Sequence, residues 1–141
     1  MRDLMNGIHL ARAVSPAAAT TDNTAFVSQI VDRRGHDGLV FAILSGSLAD
    51  ADATFAVTMD HGDDPALADA ASVPADQISG TLALAGFAFG DDDEVRKVGY
   101  RGGKRYVRLT VTPSANSGAA YLAAVAIFGH PAMQPAANPP A

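Results

Sequence analysis

Four histidines and two acidic runs are the residues with the chemistry to hold a metal or move a proton. His9, His36, His61 and His130 are scattered along the chain. None has the HxxxH or HExxH spacing that sets two metal ligands on one helix face. DHGDD (Asp60–Asp64) offers three carboxylates within five residues. Calcium takes roughly six to eight oxygens, and the run lacks the ligand spacing of an EF-hand loop. It reads as a solvated acidic loop. DDDE (Asp91–Glu94) reads as a charged turn that discourages edge pairing. Ser45-Gly46-Ser47 lacks the GxSxG context of a nucleophile, and the chain has no P-loop and no GxGxxG. A carboxylate pair for glycoside hydrolysis is chosen by geometry, which sequence does not supply. No catalytic, metal or cofactor site is assigned, and the chain is not expected to be an enzyme.

A second concentration of chemistry is basic. VRKVGYRGGKRYVRLTV (Val95–Val111) holds six of the ten basic residues, Arg96, Lys97, Arg101, Lys104, Arg105 and Arg108, in a chain of net charge −5. Gly102-Gly103 between two strand-like runs predicts a two-residue type I′ hairpin, since glycine takes positive φ without steric penalty. Arg101 then faces Lys104, Val98 faces Val107, and Lys97 faces Arg108. Alternation gives a core face of Val98, Val107, Leu109 and Val111. The other face carries Lys97, Arg101, Lys104 and Arg108, with Tyr106 over Gly99. Two like-charged cross-strand pairs cost up to roughly 1 kcal/mol each, so an anionic neighbour is expected. It is the chain's own Asp91–Glu94, an acidic protein, or phosphate. The plainer alternative is that the long side chains splay into water and are screened by salt. Nucleic acid is the weakest reading, because one aromatic and four cations amid net negative charge are a thin footprint. The candidate protein-interaction residues are Lys97, Arg101, Lys104, Tyr106 and Arg108, joined by Arg2 and Arg12.

The elements that must position these residues read as strands. The chain has 141 residues, 48% hydrophobic, with no Cys and no Trp. That suits one globular domain with a core of Val, Leu, Ile and Phe, a light core that gains from a partner or from oligomerisation. No apolar run approaches the roughly 18 residues of a membrane span. The start lacks the apolar stretch of a signal peptide, so a soluble chain without a cleaved signal is expected. TAFVSQIV (Thr24–Val31) and LVFAILS (Leu39–Ser45) read as strands, the second buried on both faces. ATFAVTMD (Ala53–Asp60) alternates Phe55, Val57 and Met59 against Thr54, Thr58 and Asp60, as a half-buried strand does. Pro65 opens a short helical turn capped by Asp64. LALAGFAF (Leu82–Phe89) reads as a bent strand, and AAYLAAVAIFG (Ala119–Gly129) as the final one. The expected fold is all-β: a single antiparallel β-sandwich, jelly-roll-like, of about seven to eight strands. Residues 1–23 form an extended N-terminal arm, 24–130 the sandwich, and 131–141 a flexible Pro/Ala-rich tail.

TTDNTAFVSQIVDRRG, LADADATFAVTMDHGDD, VGYRGGKRYVRLTVTP and the closing AAVAIFGHP together resemble a group of small virion structural proteins of tailed bacteriophages and prophages, over roughly residues 20–131. The resemblance implies a capsid-associated protein, with decoration (cement) of the outer head surface as the leading role. It implies contacts with the major capsid protein, a virion location after synthesis in the bacterial cytoplasm, and no functional residues to carry over. A symmetric homo-oligomer, with a trimer favoured, fits that role. The alternatives are a head–tail connector or tail protein, and a host-surface carbohydrate-binding β-sandwich. No cofactor and no membrane association are expected.

Overall fold

A computed structural model describes residues 2–139. Eleven strands follow in order: β1 (His9–Val14), β2 (Phe26–Val27), β3 (Val31–Asp32), β4 (His36–Leu48), β5 (Thr54–Gly62), β6 (Ala71–Ser72), β7 (Ile78–Ser79), β8 (Phe87–Ala88), β9 (Val95–Tyr100), β10 (Tyr106–Ser114) and β11 (Ala120–Pro131). Six are long; five are two-residue pieces, which accounts for the excess over the seven or eight expected. Among the described residues, no helix is long and apolar enough to cross a membrane.

The strands form two antiparallel sheets packed as a sandwich. Sheet A runs β1-β11-β4-β9-β7, and sheet B runs β2-β10-β5-β6, with β3 also on β10 and β8 also on β5. From β4 onward each long strand lies in the sheet opposite its predecessor: β4 in A, β5 in B, β9 in A, β10 in B, β11 in A. That alternation is what makes the sandwich jelly-roll-like. The core lies between the sheets. Phe41 and Ile43 from β4, Phe55 and Met59 from β5, and Leu109 and Val111 from β10 are all essentially sealed from solvent.

Alternation along β5 is as expected: Phe55, Val57 and Met59 point inward, while Thr54, Ala56 and Thr58 are exposed. β11 is the final strand, with Leu122, Ala124, Ala126 and Phe128 buried. It runs on to Pro131, which pairs with His36, so the first residue of the expected tail belongs to the sheet. β4 is central in sheet A but is not buried on both faces. Leu39, Phe41 and Ile43 point into the core, whereas Val40 and Ala42 are half-buried and Leu44 is exposed on the outside.

Several elements differ from expectation for physical reasons. β9 and β10 do not form a hairpin, because one lies in sheet A and the other in sheet B. Thr24–Val31 is broken at Ser28. The Ser28 N–H donates to the Leu109 carbonyl (2.8 Å) in sheet B, while the Gln29 N–H donates to the Ala13 carbonyl (2.9 Å) in sheet A. The chain thus bridges the two sheets at this point. Part of the N-terminal stretch is a true edge strand, β1, paired with β11 from His9↔Phe128 to Val14↔Ala124. Pro65 opens no helix: Asp64 Oδ1 accepts from the Ala66 and Ala68 N–H groups, and the turn stops there. Leu82–Phe89 folds as a 3-10 turn at Ala83–Ala85 followed by the short β8.

Candidate docking face

The placement of β9 and β10 redistributes the basic stretch. Lys97 pairs with Ala42 in sheet A, and Arg108 pairs with Asp60 in sheet B. They therefore lie on opposite sides of the sandwich, and the expected four-cation face does not exist. Most of the positive charge is answered within the chain. Arg108 reaches Asp60 at 3.3 Å, Lys104 reaches Asp63 at 2.6 Å, and Arg105 grips both oxygens of Asp32 at 2.8 Å. Arg96 bridges Asp91 and Glu94, the acidic turn beside it in sequence. The bond to Lys104 holds the Asp63 carboxyl below its ordinary range, and Arg105 does the same for Asp32. The Arg101 side chain donates to the Asp76 carbonyl. Tyr106 lies on the outer side of sheet B with the Arg105 guanidinium 5.0 Å from its ring centre. That coverage leaves less ring for a sugar to stack on. Arg2 is exposed near the chain start.

Gly102-Gly103 turns the corner between the sheets. Neither glycine has positive φ, so this is no type I′ turn. Gly102 is needed for a different reason: a Cβ there would lie 2.5 Å from both Tyr100 Oη and Gln77 Oε1. The chain wraps closely around the Tyr100 phenol, whose oxygen accepts from the Lys104 N–H at 3.0 Å and lies 2.8 Å from His61 Nδ1. Arg33 braces the same corner. It donates to the carbonyls of Gly102 and Lys104 and lies 4.9 Å from the Tyr100 ring centre. An open cavity of about 370 Å³ beside it is lined by His61, Asp63, Gln77, Gly103 and Lys104. Its one ammonium is already paired with Asp63.

Of the remaining histidines, His9 and His36 stack at 5.4 Å against Phe128. Among the described residues no three His, Cys, Asp or Glu gather closely enough to hold a metal ion.

The surface that stands out is the outer side of sheet A. Strand register sets its side chains in rows. One row runs Leu10–Ile127–Val40, the next Arg12–Val125–Ala42–Lys97, and the third Ala123–Leu44–Val95. Tyr121 closes the face over Gly46, where a Cβ would sit 3.1 Å from that of the tyrosine. Leu10, Leu44, Tyr121 and Val95 are 44%, 43%, 46% and 60% exposed, although all but Leu10 lie on interior strands of the sheet. From strand spacing and rise, the face spans about 14 Å across and about 20 Å along the strands. A contiguous apolar patch of this order is about the size of the largest one on a typical monomer, which is often functional. Beyond Leu10 the apolar surface continues into a cleft of about 340 Å³ lined by Leu4, Met5, Ile8, Leu10, Ala137 and Asn138.

Two of the sequence-predicted interaction residues, Arg12 and Lys97, thus meet on one row. Lys97 belongs there through β4, and no hairpin partner is involved. The apolar members on β4 were missed because LVFAILS reads as buried on both faces. In AAYLAAVAIFG the signal is present, since Tyr121, Val125 and Ile127 alternate against Leu122 and Phe128.

No family model and no curated protein matches the chain. Among solved structures, it is similar to dimeric latent PorU from Porphyromonas gingivalis, with 14% identity and a TM-score of 0.44 over 89% of this chain and 13% of that one. It is similar to a family two carbohydrate esterase from Cellvibrio japonicus, with 11% identity and a TM-score of 0.40 over 92% of this chain and 36% of that one. A xylan-binding module, CBM15, gives 15% identity and a TM-score of 0.41 over 93% of this chain and 95% of that one. The chain thus spans only a small part of the first two. Likeness at this level transfers no substrate, activity or partner.

Proposed function

We propose that this chain is a structural docking domain, and specifically a bacteriophage head decoration protein that binds the outer surface of the shell and stabilises contacts between major capsid protein subunits. The observation that carries the docking reading is the outer face of sheet A, an apolar surface that the described residues leave uncovered. The sandwich buries its other apolar face in the core, and a second one at the surface suits contact with a partner. The head assignment comes from the resemblance of residues 20–131 to small virion proteins of tailed phages, and a β-sandwich with a sticky face suits that role. A decoration protein needs a rigid platform and a contact surface; it needs no active site.

Imaging of intact particles tests this reading. Density for the sandwich over the outer shell in hundreds of copies is the expected result. A dozen copies or fewer at one vertex would assign the chain to the connector or tail instead. Heads that carry no copies would overturn the virion assignment.

A further inference from the structure

Resting on the docking reading, we infer the chemistry of the surface that covers sheet A: an apolar strip on a different protein, flanked on both sides by carboxylates. The row Arg12–Val125–Ala42–Lys97 has a cation at each end and only apolar side chains between. Its ends are three strand spacings apart, about 14 Å. Arg12 and Lys97 are both exposed. Neither makes an ion pair among the described residues; Arg12 donates only to Ser15. At the outward positions of β1, β11, β4 and β9 there is no Asp or Glu. In the Asp91–Glu94 turn before β9, Asp91 and Glu94 are held by Arg96. The face is therefore cationic and apolar on a chain of net charge −5.

This pattern selects against a second copy using the same face. Two copies related by a two-fold axis bury the same patch on both sides. If the axis lies along the strands, Arg12 of one copy comes over Lys97 of the other. If it lies across them, Arg12 meets Arg12 and Lys97 meets Lys97. Both of these arrangements, the two in which the row of one copy lies over the row of the other, place like charges together as water is excluded, which is how interfaces reject wrong partners. A partner with carboxylates at both rims satisfies the same geometry. Long Arg and Lys stems can cover apolar surface while their heads stay at the rim, which would give an apolar centre with a charged border.

The test uses the full chain, labelled for NMR, and two disulfide-closed β-hairpin peptides. Both peptides carry the same Val/Ile strip, flanked in one by Glu and in the other by Lys. The Glu-flanked hairpin is expected to shift the amides of Arg12, Ala42, Lys97 and Val125. Its affinity should exceed that of the Lys-flanked hairpin by about tenfold or more, and high salt should erase most of the difference. The double variant R12S/K97S, checked for an unchanged melting temperature, should lose the preference. Equal binding of both hairpins, or shifts mapping elsewhere, would overturn the inference. So would a dimer in sedimentation that Val125→Glu dissolves, because the occupant would then be a second copy. The two readings fail separately. A chain that decorates heads but shows no preference for the Glu-flanked hairpin keeps the decoration role and loses this partner chemistry. A chain that prefers that hairpin but is absent from heads does the reverse.

Discussion

Tyr100 in sheet A and His61 in sheet B are joined by a 2.8 Å contact between the phenol oxygen and Nδ1. Both side chains are buried, and their rings meet edge to face. The Lys104 N–H donates to the same oxygen, so the phenol partners the buried imidazole and a backbone N–H at once. One phenol thus closes the corner and ties the two sheets together. Tyr100→Phe keeps the ring and deletes the oxygen, leaving a buried imidazole nitrogen and a backbone N–H without their partner. We expect a loss of about 1–3 kcal/mol, seen as a lower urea midpoint with an unchanged slope. A midpoint within error of the parent would show that water replaces the phenol without cost.

The same burial fixes a pH dependence. Desolvation, followed by the Lys104 charge, holds His61 below its ordinary value of 6.5, although Asp63, Asp60 and Asp69 act the other way. His9 is lowered as well, by burial and then by His36. A histidine with a lowered folded-state pKa binds protons more readily when unfolded. Its contribution is intact above about pH 6.5 and declines as the pH falls through the unfolded value toward the folded one. Urea midpoints should therefore fall between about pH 7 and about pH 5. His61→Gln, which cannot titrate, should flatten that slope even where it lowers stability overall. A midpoint that rises on acidification would contradict the sign.

Gly102 and Gly103 separate the corner from the hairpin that the sequence suggests. A type I′ turn needs positive φ at both positions, so alanine would strain each one. In the observed corner only Gly102 is crowded, with a Cβ falling 2.6 Å from Tyr100 Cζ, while a Cβ at Gly103 meets nothing within 4 Å. Gly102→Ala should cost about 1–3 kcal/mol, the usual size of an overpacking penalty. Gly103→Ala should stay within about 0.5 kcal/mol of the parent. Melting temperatures of the two variants decide between the arrangements, and equal losses would favour the hairpin.

Ser28 makes a comparable bridge on the other side of β10. Its Oγ accepts from the buried Leu109 N–H at 2.9 Å and donates to the Gln29 carbonyl at 2.8 Å. Ser28→Ala removes the only side-chain partner that this N–H has across the β2–β3 break. The expected loss is about 1–2 kcal/mol, with faster amide exchange at Leu109 as the local signature. Protection at Leu109 unchanged from the parent would show that the backbone closes the gap unaided.

The sequence shows strands well where one face is wet and one dry. Phe55, Val57 and Met59 against Thr54 and Thr58 give β5 directly, and the turn residues between such runs give the β-sandwich. Sheet membership is another matter. A run such as Val95–Tyr100 has the same period whether Val107 lies beside it or across the core. A Gly-Gly pair marks a reversal without saying whether the chain stays in its sheet. That one ambiguity misplaced Lys97 and Arg108 on a shared face. The outer face of sheet A was hidden for a related reason: Val40, Ala42 and Leu44 look like core until β11 and β9 are seen to flank β4 on one level, with no described element packed over it.

The ion pairs that did form supply a last prediction, because they divide the basic residues into two sets. Lys104 and Arg108 are paired with Asp63 and Asp60, at partly exposed positions. Surface pairs of this kind contribute about 1 kcal/mol or less. Their charge is compensated on the spot, so an approaching partner meets little net attraction there. Arg12 and Lys97 have no such compensation and border an apolar strip. Lys104→Ser with Arg108→Ser should lower stability slightly and leave binding to purified phage heads unchanged. Arg12→Ser with Lys97→Ser should leave the melting temperature unchanged and weaken head binding about tenfold at low salt, with the deficit shrinking as salt screens the parent's own attraction. If the first pair weakens binding and the second does not, the contact surface lies at the corner or on sheet B, and the outer face of sheet A is not the side that meets the shell.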